Sequence, residues 1–139
     1  MPTLNLKLTP PQSAERRLAL ARALTTITAD TLGKRAEVTA VMIDELPAGQ
    51  WFVGARGVQR PTALLDIHVT TGTNTAEQKA AFIEAAFAEL QRQLAPGASL
   101  EEASYVIVHE VPATDWGYGG QTQRARQLAQ QRAAAVPAT

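Results

Sequence analysis

The segment Glu45-Leu46-Pro47-Ala48-Gly49-Gln50-Trp51-Phe52-Val53-Gly54-Ala55 returns in altered form as Glu110-Val111-Pro112-Ala113-Thr114-Asp115-Trp116-Gly117-Tyr118-Gly119-Gly120. A chain that repeats itself folds as two similar units, and units too small to bury their own apolar faces share one core. Each echo is preceded by a strand-like run, a helix-periodic segment and a second strand-like run, and the first runs are headed by Pro2-Thr3 and by Pro61-Thr62. The expected organisation is a single domain over 1–139, with repeat one at 2–58, repeat two at 61–120 and a tail at 121–139.

Leu4, Leu6 and Leu8 alternate with Thr3, Asn5 and Lys7, the period of a strand with one buried face. Leu20, Leu24, Ile27 and Thr31 recur at helical spacing, predicting a helix over about 11–32 that Gly33 ends. Residues 38–46 read as a second strand that runs into Pro47 and a turn through Gly49. In the second copy Leu64, Leu65, Ile67 and Val69 form the strand, and Thr75-Ala76-Glu77-Gln78 has the form of a capping box. Phe82, Ile83, Ala86, Phe87, Leu90 and Leu94 supply the helix stripe, Pro96-Gly97 closes it, and residues 105–111 make the last long strand. Residues 54–60 read as a short loop, 122–136 as a further helix with a thin apolar face, and Pro137 onward as frayed.

A helix crossing between two strands makes them parallel, and the crossover is right-handed. Two such units give an α+β two-layer fold: tandem β-α-β repeats forming a four-stranded sheet with two helices on one face, plus a short C-terminal helix. Strands over 38–43 and 105–108 are apolar on both sides of the alternation, so the uncovered sheet face calls for oligomerisation.

Composition excludes several classes of function. Thirteen basic and thirteen acidic residues leave no net charge, so neither nucleic acid nor an anionic membrane is an expected partner. There is no cysteine for a disulfide, thiol nucleophile or cysteine metal site, and His68 and His109 lack metal-ligand spacing. No metal and no cofactor are expected. With no leader-like start and no long apolar run, a soluble cytoplasmic protein is the default expectation. The tail from Gln121 onward holds Arg124, Arg126 and Arg132 and no acid, which suits either an anion or a solvated helix face.

The two leading prolines differ chemically. With Met1 removed, Pro2 becomes a secondary amine, whereas Pro61 is a tertiary amide without a basic nitrogen. An α-amino group titrates near ~8, and desolvation or nearby cations lower that value. A modest shift gives a neutral general base at working pH. Alternatively, Pro2 merely permits methionine removal and limits fraying.

Met1-Pro2, the β-α-β duplication and the Trp116-Gly117-Tyr118-Gly119-Gly120 ending resemble the tautomerase superfamily. The resemblance covers roughly 2–120. Its short members include 4-oxalocrotonate tautomerase, and its long, fused members include the cis-3-chloroacrylic acid dehalogenase and malonate semialdehyde decarboxylase types. It implies a homotrimer with the amino-terminal proline as catalytic base or acid at a subunit interface. The chain departs from the family where arginines commonly bind carboxylates: Pro10-Pro11-Gln12 and Thr71-Gly72-Thr73-Asn74 follow the first strands, and Ala40 and Tyr105 stand early in the second strands. Thr28 aligns with a helix histidine of the dehalogenase type.

Replacement binding groups follow from general chemistry. Asn74 and Thr75 stand at a helix N-terminus, which favours anions. Arg56 and Arg60 flank the central loop; Trp51 and Trp116 stand where the resemblance implies a pocket-lining aromatic, with packing at an interface as the alternative, and Tyr105 is a further candidate substrate-binding residue. Glu45 and Glu110, duplicated where only one amine exists, read as structural acceptors, and His68, His109 and Thr28 are secondary candidates. The resulting expectation is an isomerase using Pro2 for keto-enol proton transfer on a small carbonyl or enol compound. The alternatives are a Pro2-dependent decarboxylase or hydratase/dehalogenase, and a catalytically silent trimeric binding protein of the same fold.

Overall fold

A computed structural model describes residues 1–135. Repeat one comprises β1 (Thr3–Thr9), α1 (Ala14–Leu32), β2 (Ala40–Glu45) and the short strands β3 (Phe52–Val53) and β4 (Arg56–Gly57). Repeat two comprises β5 (Thr62–Thr70), α2 (Ala76–Leu94), β6 (Tyr105–Val111), β7 (Gly117–Tyr118) and β8 (Gln121–Thr122), followed by α3 (Gln123–Ala135). The residues from 136 on, where the sequence places the end of the last helix and a frayed terminus, lie outside the described residues.

The main sheet has the order β2-β1-β5-β6. Pairing is parallel within each repeat and antiparallel where β1 meets β5. Leu4, Leu6 and Leu8 of β1 and Ala63, Leu65, Ile67 and Val69 of β5 are buried. They form one cluster with Leu20, Leu24 and Leu32 of α1 and Phe82, Ala86, Leu90 and Leu94 of α2. Both helices therefore cover one face, as the two-layer reading expects.

Helix boundaries follow the caps. Pro10 and Pro11 delay α1 until Ser13, whose side chain accepts from Arg16 N at 3.1 Å, so the helix starts at Ala14 rather than near 11. Its fully buried residues are Leu20, Leu24, Thr28 and Leu32, and Ile27 is partly buried and packed against the same core. Thr28 is tolerated there because its hydroxyl donates to Leu24 O at 2.7 Å. At the other end Gly33 adopts φ 67° and donates its N–H to Ala29 O. The capping box of α2 forms as read, with Thr75 and Gln78 satisfying each other's backbone donors.

Two features of the duplication differ from the sequence reading. Residues 54–60 are not simply a loop, because β3 and β4 form a hairpin. Gly54 (φ 59°) and Ala55 (φ 63°) turn it, and Gly119 (φ 62°) and Gly120 (φ 78°) turn the β7–β8 hairpin. Two central residues at positive φ define the tight turn that suits strand twist, but alanine at position 55 conceals that signal. Each hairpin closes on its tryptophan: Val58 N donates to Trp51 O at 3.0 Å, and Gln123 N to Trp116 O at 2.9 Å.

The second difference concerns the prolines. Thr3 pairs with Ala40, and Leu64 pairs with Tyr105. Because Ala40 and Tyr105 are equivalent by the Trp51/Trp116 alignment, Thr3 corresponds to Leu64 and Pro2 to Ala63. Pro61 lies two residues farther out along the strand, on the same side of the alternation. The period of two conceals a slip of two residues.

Candidate functional site

β1 begins at the end of the sheet where α1 also finishes, so the left-handed turn at Gly33 delivers Lys34 and Arg35 beside Met1 and buried Pro2. These residues line a cavity of about 230 Å³. Thr70 and Thr73, where β5 ends, close another side, and Tyr118 arrives from the β7–β8 hairpin. The last wall is α3, which presents Gln123, Arg126, Gln127 and Gln130. Their spacing places them on one helical face, and its polar character explains the thin apolar stripe in the tail.

The cavity is cationic. Lys34, Arg35 and Arg126 line it, and among the described residues no carboxylate does. Lys34 Nζ donates to Thr73 Oγ1 at 2.9 Å, and Arg35 Nε to Glu37 Oε1 at 2.8 Å. Arg126 stacks its guanidinium 3.7 Å from the centre of the Tyr118 ring and donates through Nη2 to Tyr118 O at 2.9 Å. Its buried Nε has no partner among the described residues. Burial, and then the positive charges of Lys34 and Arg35, hold the Met1 α-amino group below its ordinary value. Burial likewise lowers Lys34.

Of the residues singled out in the sequence, Pro2 lies in this cavity, whereas Trp116 borders it indirectly by donating Nε1–H to Thr70 Oγ1 at 3.2 Å. Asn74 and Thr75 stand one and two residues past Thr73 but serve helix ends, Asn74 joining the end of α1 to the start of α2. Asn74 Nδ2 donates to Leu32 O and Gln78 Oε1, and Thr75 is committed to the capping box. Arg56 and Arg60 line a separate hollow with Glu101 and Glu102. Trp51 heads the first hairpin, and Tyr105 is exposed on the uncovered sheet face. None of these four lines the Pro2 cavity of the same protomer.

On the uncovered face His68 and His109 stack with ring centres 4.6 Å apart, and His109 Nε2 lies 2.6 Å from Asp66 Oδ1. Glu45 accepts from Arg17 at 2.9 Å and from the Gln12 amide, while Glu110 accepts from Lys79 at 3.1 Å. Both carboxylates thus tie a strand end to the first turn of their repeat's helix. Among the described residues no helix is long and apolar enough to cross a membrane, and no group of three or more metal-ligating side chains occurs.

Sequence reasoning missed Lys34, Arg35, Tyr118 and Arg126 as cavity residues. The tail arginines were visible as a group, but Arg124 and Arg132 are exposed and Arg126 alone turns inward. A family model described as "Tautomerase enzyme" matches residues 2–60 and 64–126, one match for each repeat. The chain belongs to the tautomerase family.

Solved tautomerase-family structures agree in fold. An asymmetric trimer of a fused 4-OT is 30% identical with a TM-score of 0.78, over 89% of this chain and 98% of that one. Another fused 4-OT is 32% identical with a TM-score of 0.76, over 88% and 97% of the two chains. A member of the cis-3-chloroacrylic acid dehalogenase family is 23% identical with a TM-score of 0.78, over 97% and 92%, a likeness of fold alone. A search of curated proteins found no match.

Proposed function

We propose that the chain is an enzyme that moves a proton in keto-enol tautomerisation, with Pro2 as the base after Met1 is removed. The observation that carries this reading is the position of Pro2, buried at the start of β1 and lining a cavity with two cations beside it. The lowered Met1 amino group supports it, because Pro2 lines the same cavity as Lys34 and Arg35, the cations that lower that group. Lone-pair basicity at pH 7 then needs no general base to create it.

In ketonisation the neutral amine accepts the enol hydroxyl proton as the C=O bond forms. The former C=C electron pair takes a proton at carbon, and the prolinium returns its proton there. Protonation makes the amine a cation beside Lys34 and Arg35, which favours return of the proton. Hydration would need a group to activate water, and neither a carboxylate nor a histidine lines the cavity among the described residues. The fused 4-OT structures described as trimers support a homotrimer here, with the uncovered sheet face as the contact.

The test is ketonisation of phenylenolpyruvate by protein whose intact mass lacks Met1, beside Pro2→Ala. A drop of about tenfold or more in kcat/KM is expected, the usual contribution of a positioned general base being about 10²–10⁴-fold. Equal rates in the two proteins contradict the assignment.

A further inference from the structure

Gln123 opens α3, lines the Pro2 cavity and is only 9% exposed. Its backbone N–H goes to Trp116 O, but its side-chain amide takes no hydrogen bond among the described residues. Burying a primary amide without a partner costs free energy, so packing gives no reason for glutamine at this position. We propose that Gln123 is a specificity-determining residue of the Pro2 cavity, its amide binding a hydroxyl group that the substrate carries beyond the reacting carbonyl. The substrate class is then a small hydroxylated oxo compound. The proposal rests on the reading of Pro2 as the reacting amine.

Three observations carry it. First, the duplication supplies an internal control. Gln123 N donates to Trp116 O at 2.9 Å and Val58 N to Trp51 O at 3.0 Å, so Val58 is the counterpart of Gln123. Val58 lines the hollow of Arg56, Arg60, Glu101 and Glu102, which holds neither Met1 nor Pro2. Valine therefore meets the structural demands of that position, and the amide appears only in the copy beside Pro2. Second, the amide is reachable: unlike Arg126 Nε, neither Oε1 nor Nε2 of Gln123 is closed off from solvent. Third, Gln123 is anchored. Trp116 accepts its N–H and donates the indole N–H to Thr70 Oγ1 at 3.2 Å, so one tryptophan ties the start of α3 to the cavity wall at the end of β5. A side chain anchored in this way loses less freedom on binding.

The chemistry of the amide selects the group it binds. A primary amide donates through Nε2 and accepts through Oε1, and a hydroxyl likewise donates and accepts. The two match in both directions, whereas a methyl group leaves both amide atoms unsatisfied and a carboxylate sets its own acceptor against Oε1. The Lys34, Arg35 and Arg126 side chains can only donate, so they cannot take a hydroxyl proton. Gln127, one turn further along α3, also lines the cavity and extends this uncharged wall. Gln131 on the same helix is exposed and does not line the cavity, which makes it the matched control.

The experiment compares 4-hydroxy-2-oxobutanoate with 2-oxopentanoate, which differ by a hydroxyl in place of the terminal methyl. Binding is measured by calorimetry, and proton transfer by NMR as deuterium uptake at C3, with protein whose intact mass lacks Met1. Wild type, Gln131→Val and Pro2→Ala should bind the hydroxylated compound about threefold to tenfold more tightly, the range of one neutral hydrogen bond. Gln123→Val should lose that preference while still binding 2-oxopentanoate and exchanging its C3 hydrogens, since the first hairpin accommodates valine at the equivalent position. Gln123→Met, which keeps the length of the side chain without its amide, should do the same. Equal affinity of wild type for the two compounds, or a preference unchanged in both Gln123 variants, overturns the proposal. If the preference depends on Gln123 while Pro2→Ala exchanges at the wild-type rate, the hydroxyl site stands and the role of Pro2 fails.

Discussion

Lys34 acts on the amine from a fixed position. Its Nζ is held by Thr73 Oγ1 at 2.9 Å, and its charge, with that of Arg35, adds to burial in lowering the α-amino group. The sign follows from what each form costs. A depressed folded-state pKa keeps the amine neutral to lower pH, so base activity persists below the ordinary α-amino value of about 8. For stability, the same group contributes above its unfolded pKa, and that contribution is lost as pH falls through the folded pKa. Lys34→Gln removes one of the lowering charges. The acid limb of kcat/KM should therefore move to higher pH than in wild type, and a limb that stays in place contradicts the coupling. Pro2 was legible in the sequence because a terminal secondary amine needs no partner to be recognised as chemistry. Arg126 was not, because Arg124, Arg126 and Arg132 look alike until a packing face is chosen, and the face of α3 toward the cavity carries glutamines rather than an apolar stripe.

Elements end where their caps permit, and the two hairpins make the same point through turn chemistry. Ala55 occupies φ 63°, where an L side chain costs about 1–2 kcal/mol relative to the right-handed region. Ala55→Gly should therefore raise stability by about 1 kcal/mol after the entropy glycine adds to the unfolded chain, read as a higher denaturation midpoint. A lower midpoint would mean that the alanine methyl makes compensating contacts. Gly117 is the opposite case, since a Cβ there would lie 2.0 Å from Gln121 O, a backbone atom that cannot move without opening the hairpin. Gly117→Ala should lower kcat/KM for ketonisation while leaving most of the thermal stability in place, because β7–β8 carries Tyr118, which lines the Pro2 cavity and is not part of the core. The α2 capping box and the β1 alternation were readable because each is a local rule satisfied by adjacent residues. The first hairpin was concealed by Ala55, and the slip between Pro2 and Pro61 by a strand period that shows the same face every second residue.

Across the whole molecule the sheet is finished on one side only. The uncovered face exposes Met42, Tyr105 and Ile107 and carries the stacked His68 and His109. Asn5 also lies there, with its Oδ1 buried and unpartnered among the described residues. A second copy laid on this face would bury the apolar groups and could supply the missing donor. Met42→Asp adds a charge to that surface two residues from Asp44 in an already charged strand. It should shift the species seen by light scattering from three protomers toward one, and an unchanged mass would locate the contact elsewhere. The sequence anticipated a need for cover from β2 and β6, but not which copies meet, because self-association depends on surfaces no single chain displays together. The fold thus places Pro2, one cationic cavity and the helix α3 at the same end of the sheet, and the proposed chemistry depends on the state of the Pro2 amine. Titration of the Pro2 nitrogen by NMR in 15N-proline-labelled protein, with intact mass recorded on the same sample, tests this directly. A free amine titrating below the ordinary α-amino value of about 8 is the expected result. A value at or above it, or a nitrogen that does not titrate because Met1 is retained, contradicts catalysis by a neutral Pro2.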